Sequence, residues 1–363
     1  MKFPTDRLPR LFGVLFGLVC LAGSPGYAAD GGKGMAYVSN QDGGVTVIDL
    51  DTLEVVGEFD PGAGAPRGIG VTADGKWLVT ANRDGGNISV MDRVTGKVLK
   101  YIPIGENPEF VRTRGHYAFV SFEPASEGGP PPKPGSEEER AMQEAREKEQ
   151  PDPARVAVVD LKKGKVIREI VGGMETEGIE FSADGKKILV TNEDDNNVTV
   201  HDIATGKLLK TIDTEEFGMR PRGIKMAPDG KSYVVTIEYG NKLVVLDHKF
   251  DVVKSVPTGE VPYGVAFDRK GERLFVALAR GQALQVFDAR TYETIKMVPI
   301  GQRCWHFTFT PDDSQILVAC GRSHDIHVLD AKKLEPVKRI KGKELPWGIV
   351  TYPKAVGSLD WPD

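Results

Sequence analysis

The sequence predicts an all-β fold in which seven four-stranded blades close into a ring. Three observations predict it. An alternating apolar motif that ends in aspartate recurs seven times, each repeat contains four segments of strand length, and the chain begins and ends within the same repeat. A repeat of about 42 residues that consists of strands and tight turns is typical of a seven-bladed β-propeller when seven copies are present, and not of a helical solenoid.

The motif is a short run in which apolar residues alternate with others before the closing aspartate. The intervals between successive aspartates are 43, 68, 42, 45, 41 and 42 residues, so the second interval contains an insertion. The regular spacing indicates one structural unit per repeat. The closing aspartates are Asp49, Asp92, Asp160, Asp202, Asp247, Asp288 and Asp330.

The second repeat shows the four segments of a blade. Strand A (66–71) and strand B (77–82) flank an Asp-Gly turn, and strand C (88–92) is joined to strand D (97–102) by a turn that contains Gly96. Asp-Gly suits the first turn because both residues tolerate a positive φ. Apolar residues at every second position predict strands with one buried face.

The two ends of the chain are predicted to pair with each other. The first strand B occupies residues 36–40 and the last strand A occupies residues 346–351. We therefore expect the N-terminal strands B to D to pair with the C-terminal strand A, which closes the ring and hides sheet edges that would otherwise template aggregation. A single propeller domain over residues 29–363 then replaces the two or three domains that the length alone suggests.

Composition excludes some classes of function. Lys and Arg number 47 against 52 Asp and Glu, which gives a net charge of −5, so no basic surplus is available for general nucleic-acid binding. The 42 glycines and 24 prolines indicate many turns and argue against a helical bundle. A hydrophobic content of 40% is enough for a folded core.

The first 28 residues have the pattern of a secretory signal. Lys2, Arg7 and Arg10 precede an apolar run at 11–22, and small residues follow it up to a cleavage position after Ala28. The run is shorter than the roughly 20 residues that a membrane-spanning helix needs. We expect a Sec-type signal at 1–28, a periplasmic mature protein with no membrane span, and secretion as the alternative location.

Several repeats resemble a known family. The segments AYVSN (36–40), LVTAN (78–82) and ILVTN (188–192) are each followed by a VxVxD-like run, and TGK and P-x-G recur in the repeats. They are similar to the YVTN repeats of YncE-like, WD40-like propellers, over residues 34–353. This resemblance implies the superfamily that includes YncE-like periplasmic proteins, quinoprotein amine dehydrogenase large chains, lactonase-type propellers and cytochrome haem d1 domains. It predicts fold more firmly than function, since the fold hosts binders, enzymes and cofactor carriers.

A candidate ligand site lies where the strands A begin, at the mouth of the central channel. The residue after the proline-like start of strand A recurs once per blade near the axis, and its identity varies. Aromatic faces suit a planar or apolar group and guanidinium groups suit carboxylates, so the mixture favours an asymmetric pocket. The alternative is that arginines and glutamates pair and seal the channel while the aromatic residues pack between blades. The seven ring residues are Arg67, Glu109, Glu177, Arg222, Tyr263, Trp305 and Trp347.

Two further features near the mouth, a histidine and a pair of cysteines, have reactive or metal-binding side chains. His306 stands where most repeats have glycine, and an imidazole there could ligate a metal or haem iron or act as a base. No cluster of histidines accompanies it, so no metal site is predicted. Cys304 and Cys320 face each other if the A–B hairpin is centred on residues 312–313, which predicts a disulfide; a redox-labile pair and two free thiols are the alternatives. No CxxCH motif is present, which excludes covalently attached haem.

The long interval between the second and third aspartates places an insertion at 123–154, in the B–C loop of one blade. Its first half is rich in Pro and Gly, and Ser136 with Glu139 forms a capping box ahead of a helix that extends to Glu149. We interpret it as a polar flap beside the mouth, either a lid or a partner-docking element, with a surface loop of no special role as the alternative.

No sequence signature of an enzyme is present: GxSxG, a Walker loop and GxGxxG after a strand are all missing. We therefore expect a monomeric, non-catalytic binding or scaffold module whose mouth takes a small ligand or a periplasmic protein partner, with no bound cofactor. One alternative is a haem d1 or quinone carrier, in which Arg67 and Arg222 hold carboxylates, Trp305 and Trp347 stack, and His306 ligates. The other is a lactonase-like hydrolase that uses Glu109 or Glu177 with an arginine.

Overall fold

A computed structural model describes residues 32–124, 135–138, 140–141, 144 and 152–361. Within these ranges, 28 strands form seven antiparallel sheets of four strands each, so the predicted seven-bladed propeller is confirmed. Blade 1 contains β28, β1, β2 and β3, and blades 2 to 7 each contain four consecutive strands. In every blade the strands are ordered A, B, C, D from the channel outward.

The strands of the first half of the chain are β1 (Met35–Asn40), β2 (Val45–Asp49), β3 (Val55–Phe59), β4 (Pro66–Val71), β5 (Trp77–Asn82), β6 (Asn87–Asp92), β7 (Val98–Pro103), β8 (Pro108–Arg114), β9 (Tyr117–Phe122), β10 (Arg155–Asp160), β11 (Lys165–Val171), β12 (Thr176–Phe181), β13 (Lys187–Asn192), β14 (Asn197–Asp202) and β15 (Leu208–Asp213). Those of the second half are β16 (Pro221–Met226), β17 (Ser232–Ile237), β18 (Lys242–Asp247), β19 (Val252–Pro257), β20 (Pro262–Phe267), β21 (Arg273–Leu278), β22 (Ala283–Asp288), β23 (Thr294–Pro299), β24 (Cys304–Phe309), β25 (Gln315–Cys320), β26 (Asp325–Asp330), β27 (Glu335–Lys341) and β28 (Pro346–Tyr352). Short 3-10 helices occupy Glu215–Phe217, Glu238–Gly240 and Gly321–Ser323.

The ring closes through the pairing of β28 with β1. Ala36 pairs with Thr351 and Val38 with Ile349 in an antiparallel register, which confirms the predicted closure by the two ends of the chain. Each of these two strands is one residue longer than predicted, since β1 begins at Met35 and β28 ends at Tyr352.

The core lies between neighbouring blades. Strands A to C are buried along most of their length, whereas the outer strands D are mostly exposed or half-buried and each contains one buried apolar residue near its end. Phe275 of blade 6 and Phe309 of blade 7, for example, meet edge to face with ring centroids 5.1 Å apart. Because each blade buries apolar side chains against both neighbours, its stability depends on the complete ring.

The outer strands D carry lysines that contact the next blade. Lys100 Nζ donates to the backbone oxygen of Lys162 at 3.2 Å, and Lys210, Lys254 and Lys296 make the same kind of contact with the C–D turn of the following blade. Charged side chains on an edge strand also oppose edge-to-edge pairing with another molecule. These lysines therefore link adjacent blades by hydrogen bonds and also disfavour pairing of the outer strands with another molecule.

After β28 the chain crosses the channel at the end where the strands A finish. We call residues 353–361 the tail segment. Arg112 donates to the backbone oxygen of Leu359 at 2.6 Å, and Lys225 Nζ donates to the backbone oxygens of Ser358 and Trp361 at 2.7 and 2.6 Å. Side chains from blades 3 and 5 thus hold the tail segment across the channel, opposite the mouth.

A buried ion cluster supports the tail segment. Arg112 and Glu180 are 1% and 0% exposed and lie 2.8 Å apart, and Lys225 Nζ lies 3.8 Å from Glu180. Burial and the neighbouring Arg112 charge lower the pKa of Lys225 to about 7, although Glu180 and Asp360 oppose the shift. These charges were not predicted as a site, but Arg112, Glu180 and Lys225 occupy equivalent positions of three successive strands A.

We predict that Glu180→Gln lowers the free energy of unfolding by about 3–5 kcal/mol, because it leaves the buried Arg112 guanidinium without its charged partner. Urea-induced unfolding at neutral pH measures the effect. The control is Glu169→Gln, which breaks a half-exposed ion pair with Arg155 of 2.9 Å and should cost no more than about 1 kcal/mol. Equal effects of the two substitutions would contradict a structural role for the buried pair.

Candidate functional site: the channel mouth

A bulge at the start of each strand A directs side chains into the mouth. In blade 2, Pro66 pairs with Asn82 but Ile69 pairs with Thr80, so β4 advances three residues where β5 advances two. The same irregularity occurs in all seven blades. A bulge re-aims the side chains it contains, which explains why the residue after the first position of strand A points toward the axis.

All seven predicted ring residues line one cavity of about 270 Å³ at the mouth. The structure therefore brings together residues that are separated by up to 280 positions in the chain. His306 does not join them. It lines a separate cavity of about 30 Å³ between the ring and the tail segment, together with Phe110, Lys225 and Ser358.

The arginines and glutamates of the ring are paired with each other. Arg67 forms an ion pair with Glu109, and Arg222 Nη1 forms one with Glu177. Arg222 also lies 3.2 Å from the Tyr263 hydroxyl, with its guanidinium carbon 4.7 Å from the centre of that ring. Ion pairing and an open mouth thus coexist: the pairs form the floor of the cavity without filling it.

Arg222 is the centre of this floor. Besides Glu177 it contacts Glu193, and its Nε lies 2.6 Å from Glu238. Burial raises the pKa of Glu177, but the Arg222 charge and hydrogen bonds, one of them donated by Tyr263, outweigh it and hold that pKa well below its usual range. Burial raises the pKa of Glu193 well above its usual range, so of these two neighbouring glutamates Glu193 holds a proton more readily than Glu177.

Sequence reasoning missed two further sets of mouth residues. One directly follows strand B and includes Gln41, Arg83, Glu123 and Glu193. The other directly precedes strand A and includes Glu175, Arg220, Arg303 and Leu345. Both sets recur once per blade, so aligning the repeats at these positions could have found them.

The residues before strand A share a left-handed backbone. Glu175, Arg220 and Arg303 have φ values of 50°, 65° and 52°, and the equivalent residues of the other four blades are also positive. Asparagine and glycine are the usual occupants of this conformation, and only Asn107 conforms. Long charged side chains at positions with this backbone conformation therefore indicate residues that line the mouth.

One side of the mouth is acidic. Glu123 is 5% exposed, and its Oε2 lies 3.4 Å from the side-chain amide nitrogen of Asn107. Burial raises the pKa of Glu123 well above its usual range, and the nearby carboxylates of Glu109 and Glu175 raise it further. Glu123 therefore holds a proton more readily than an ordinary glutamate, and this side of the mouth carries less negative charge than its residue types suggest.

The opposite side is formed by blade 7 and blade 1. Arg303 and Arg322 line the cavity beside Trp305 and Trp347, and the Arg303 guanidinium carbon lies 5.9 Å from the Trp305 ring centre. Within the described part of the chain, no carboxylate lies at ion-pair distance from either of these two arginines. A disulfide joins Cys304 and Cys320, which are paired residues of β24 and β25, at the base of this side.

His306 is buried in an aromatic cluster. Its ring centre lies 4.4 Å from that of Trp347, 5.5 Å from Tyr263 and 5.9 Å from Phe110. Neither ring nitrogen has a hydrogen-bond partner among the described residues, and burial lowers the pKa of His306 to about 4. The imidazole is therefore neutral and is separated from the mouth by the ring.

Other predicted features fall partly outside the described residues. β9 ends at Phe122 and β10 begins at Arg155, which is where an insertion at 123–154 would join the blade. Of its predicted helix, residues 137, 138, 140, 141 and 144 are helical, and Glu139 lies outside the described residues. The predicted signal at 1–28 also lies outside them. Among the described helices, none has the length and apolar character that crossing a bilayer requires.

Comparison with family models agrees with this architecture. Residues 18–118 match the YNCE-like beta-propeller model, and residues 152–279 match the cytochrome D1 heme domain model. Over these ranges the chain is similar to YncE-like β-propellers and to the cytochrome D1 heme domain. The two matches cover different blades of one ring, so a single propeller satisfies both.

Individual proteins of similar sequence or similar fold add detail. A dihydro-heme d1 dehydrogenase of Pseudomonas aeruginosa is 30% identical over 103 residues, which is 28% of this chain and 19% of that protein. The match thus covers less than a fifth of the relative's own length. Solved structures that share the fold include a functionally unknown protein of Desulfotomaculum acetoxidans (TM-score 0.71, 17% identity, 88% of this chain and 98% of that one) and Kuenenia stuttgartiensis hydrazine synthase (TM-score 0.66, 20% identity, 88% and 99%).

We predict that Glu123→Gln stabilises the protein at pH 7.5 by about 1 kcal/mol or more. The raised pKa means that the folded state holds a proton which the unfolded state releases as pH rises above roughly 4.3, the usual value for Glu, so the wild-type protein loses stability over that range. Glutamine does not titrate, so the variant does not lose stability in this way. The difference in free energy of unfolding between the variant and the wild-type protein should disappear near pH 4. Urea-induced unfolding at several pH values measures it.

The control for this prediction is Glu106→Gln, which replaces an exposed carboxylate of the neighbouring D–A loop. It should show little pH-dependent difference from the wild-type protein. If Glu123→Gln instead destabilises the protein most at pH 7.5, the carboxylate is ionised and paired, and a raised pKa for Glu123 is wrong.

Proposed function

We propose that this protein is an exported propeller that binds a small ligand in its channel mouth and does not catalyse a reaction on it. The observation that supports this best is the cavity of about 270 Å³, which has an ion-paired floor, an aromatic side and two arginines without carboxylate partners among the described residues. Concave sites with a few fixed polar groups and aromatic walls are typical of ligand binding. Export to the periplasm is part of the proposal and rests on the pattern of residues 1–28.

The state of Glu177 argues against a hydrolase. A general base works best with a pKa near the operating pH, whereas Arg222 and Tyr263 hold the pKa of Glu177 well below its usual range. Its oxygens already accept from both partners. A lactonase-like reaction would therefore need to release Glu177 from contacts that form the floor of the cavity.

A cofactor carrier is the second candidate, favoured by the match of residues 152–279 to the cytochrome D1 heme domain. Iron ligation by His306 does not fit, because the ring lies between His306 and the mouth. The mouth-lining residues that the structure describes offer carboxylate, guanidinium, amide, phenol and indole groups, without imidazole, thiolate or thioether. Guanidinium and indole groups do suit the carboxylates and flat face of an organic cofactor such as a quinone.

We predict that Gln41→Phe, which narrows the mouth, weakens ligand binding at least tenfold, a loss of about 1.4 kcal/mol. The measurement is a titration of the purified mature protein with small carboxylates, phosphates, quinones and tetrapyrroles, followed by the fluorescence of the mouth tryptophans Trp305 and Trp347. The absorbance spectrum and intact mass of protein purified from its native compartment show whether a ligand is already bound.

The matched control is Asp42→Phe, which adds the same ring at the adjacent residue, outside the cavity lining. It should leave binding unchanged. Binding that both substitutions leave intact would place the ligand elsewhere, and failure of every compound together with an unmodified native mass would overturn the proposal. Hydrolysis of a lactone that Glu177→Gln abolishes would instead favour the hydrolase.

A further inference from the structure

We propose that blade 7 contains an anion subsite in which Arg303 and Arg322 bind a carboxylate or phosphate group of the ligand, while Trp305 covers a flat apolar part next to it. This inference rests on the proposed function, because it names the chemical class of the ligand that the mouth receives. It assigns recognition to arginines outside the ring of strand A residues.

The two arginines start from adjacent backbone. Arg303 is the last residue before β24, and Arg322 lies in the 3-10 helix that follows β25. Gly321 N donates to the backbone oxygen of Arg303 at 3.0 Å, and Arg322 N donates to that of Gln302 at 3.1 Å. Because these segments are hydrogen-bonded side by side and both side chains line the cavity, two guanidinium groups converge on one side of the mouth.

Within the described ranges, their lack of a carboxylate partner distinguishes these two arginines from Arg67, Arg220 and Arg222. Arg67 and Arg222 are paired with ring carboxylates, and Arg220 lies 2.8 Å from Glu175. Arg303 and Arg322 have no carboxylate at ion-pair distance among the described residues. Their guanidinium groups keep donors free for a ligand, and such groups bind carboxylate and phosphate through paired hydrogen bonds.

Trp305 is held in a defined position beside them. A Cβ atom at Gly321 would lie only 1.8 Å from Cζ3 of the Trp305 ring, so the absence of a side chain there lets the ring pack against the backbone after β25. The Arg303 guanidinium carbon is 5.9 Å from the centre of the same ring, within the range of a cation–π contact. An indole face and an arginine pair thus adjoin each other at the mouth.

The disulfide links the two segments that form the subsite. Cys304 stands between Arg303 and Trp305, and Cys320 directly precedes the Gly321–Ser323 helix that carries Arg322. The bond therefore limits how far the two arginines can separate. We assign the two cysteines a positioning role, since they act on the ligand through their neighbours.

The test measures the affinity of the full mature protein for phenyl phosphate, benzoate, neutral benzamide and cationic benzylamine by calorimetry. We expect both anions to bind at least tenfold more tightly than benzamide, with the stronger of the two identifying the preferred group. Arg322→Gln should weaken anion binding by about 10- to 100-fold, as expected for loss of hydrogen bonds to a charged group. Replacing both cysteines by alanine should weaken the binding of the anions more than the binding of benzamide.

The control is Arg280→Gln, which removes an exposed arginine from the equivalent B–C loop of blade 6, outside the cavity lining. It should leave anion affinity unchanged, which separates a local contact from general surface charge. Arg322 is itself exposed, so its replacement should preserve the fold, and a thermal unfolding scan checks this.

The possible failures are distinguishable. If benzamide or benzylamine binds as tightly as the anions and Gln41→Phe weakens that binding, the mouth is a ligand site but the anion subsite is wrong. Unchanged anion affinity in Arg322→Gln also overturns the subsite. If no probe binds to the wild-type protein, both the subsite and the proposed small-ligand function are contradicted.

Discussion

The pairing of β28 with β1 is the constraint on which the rest of this structure depends. It completes blade 1, so that each of the seven blades has a neighbour on both sides and the apolar surfaces between them are all covered. It also brings Trp347 to the mouth and starts the tail segment toward the opposite end of the channel. The mouth and the tail segment are therefore both products of one antiparallel register between the first and last strands.

Much of the fold could be predicted because it is repeated. Seven copies of one pattern predict the blade number, the strand order and the closure of the ring, since a strand that is wrongly assigned in one repeat can be corrected by comparison with the other six. The ring residues could be predicted for the same reason: Arg67 and Trp347 occupy one position of the repeat. A single bulge geometry in all strands A makes that position equivalent in space as well as in sequence.

The energetic state of those residues could not be predicted from the repeat. Whether Arg222 faces a ligand or a carboxylate depends on Glu193 and Glu238, which directly follow the strands B of blades 4 and 5. The repeat fixes where these residues lie, but it does not show that their side chains pair with Arg222. His306 shows the same limit. Its replacement of glycine near the axis suggests an iron ligand, yet His306 packs against Trp347 and Tyr263 on the other side of the floor. Repetition predicts position, whereas contacts between unlike residues decide what each position does.

The tail segment has a consequence for how molecules exchange with the channel. Arg112 and Lys225 hold it across the far end, and the ion-paired ring forms a second barrier above it. A ligand that enters from the mouth must leave by the same route, so an incoming molecule cannot displace it from behind. The residence time of a ligand in the cavity then depends on its contacts with the mouth, and two molecules in transit would compete for one opening.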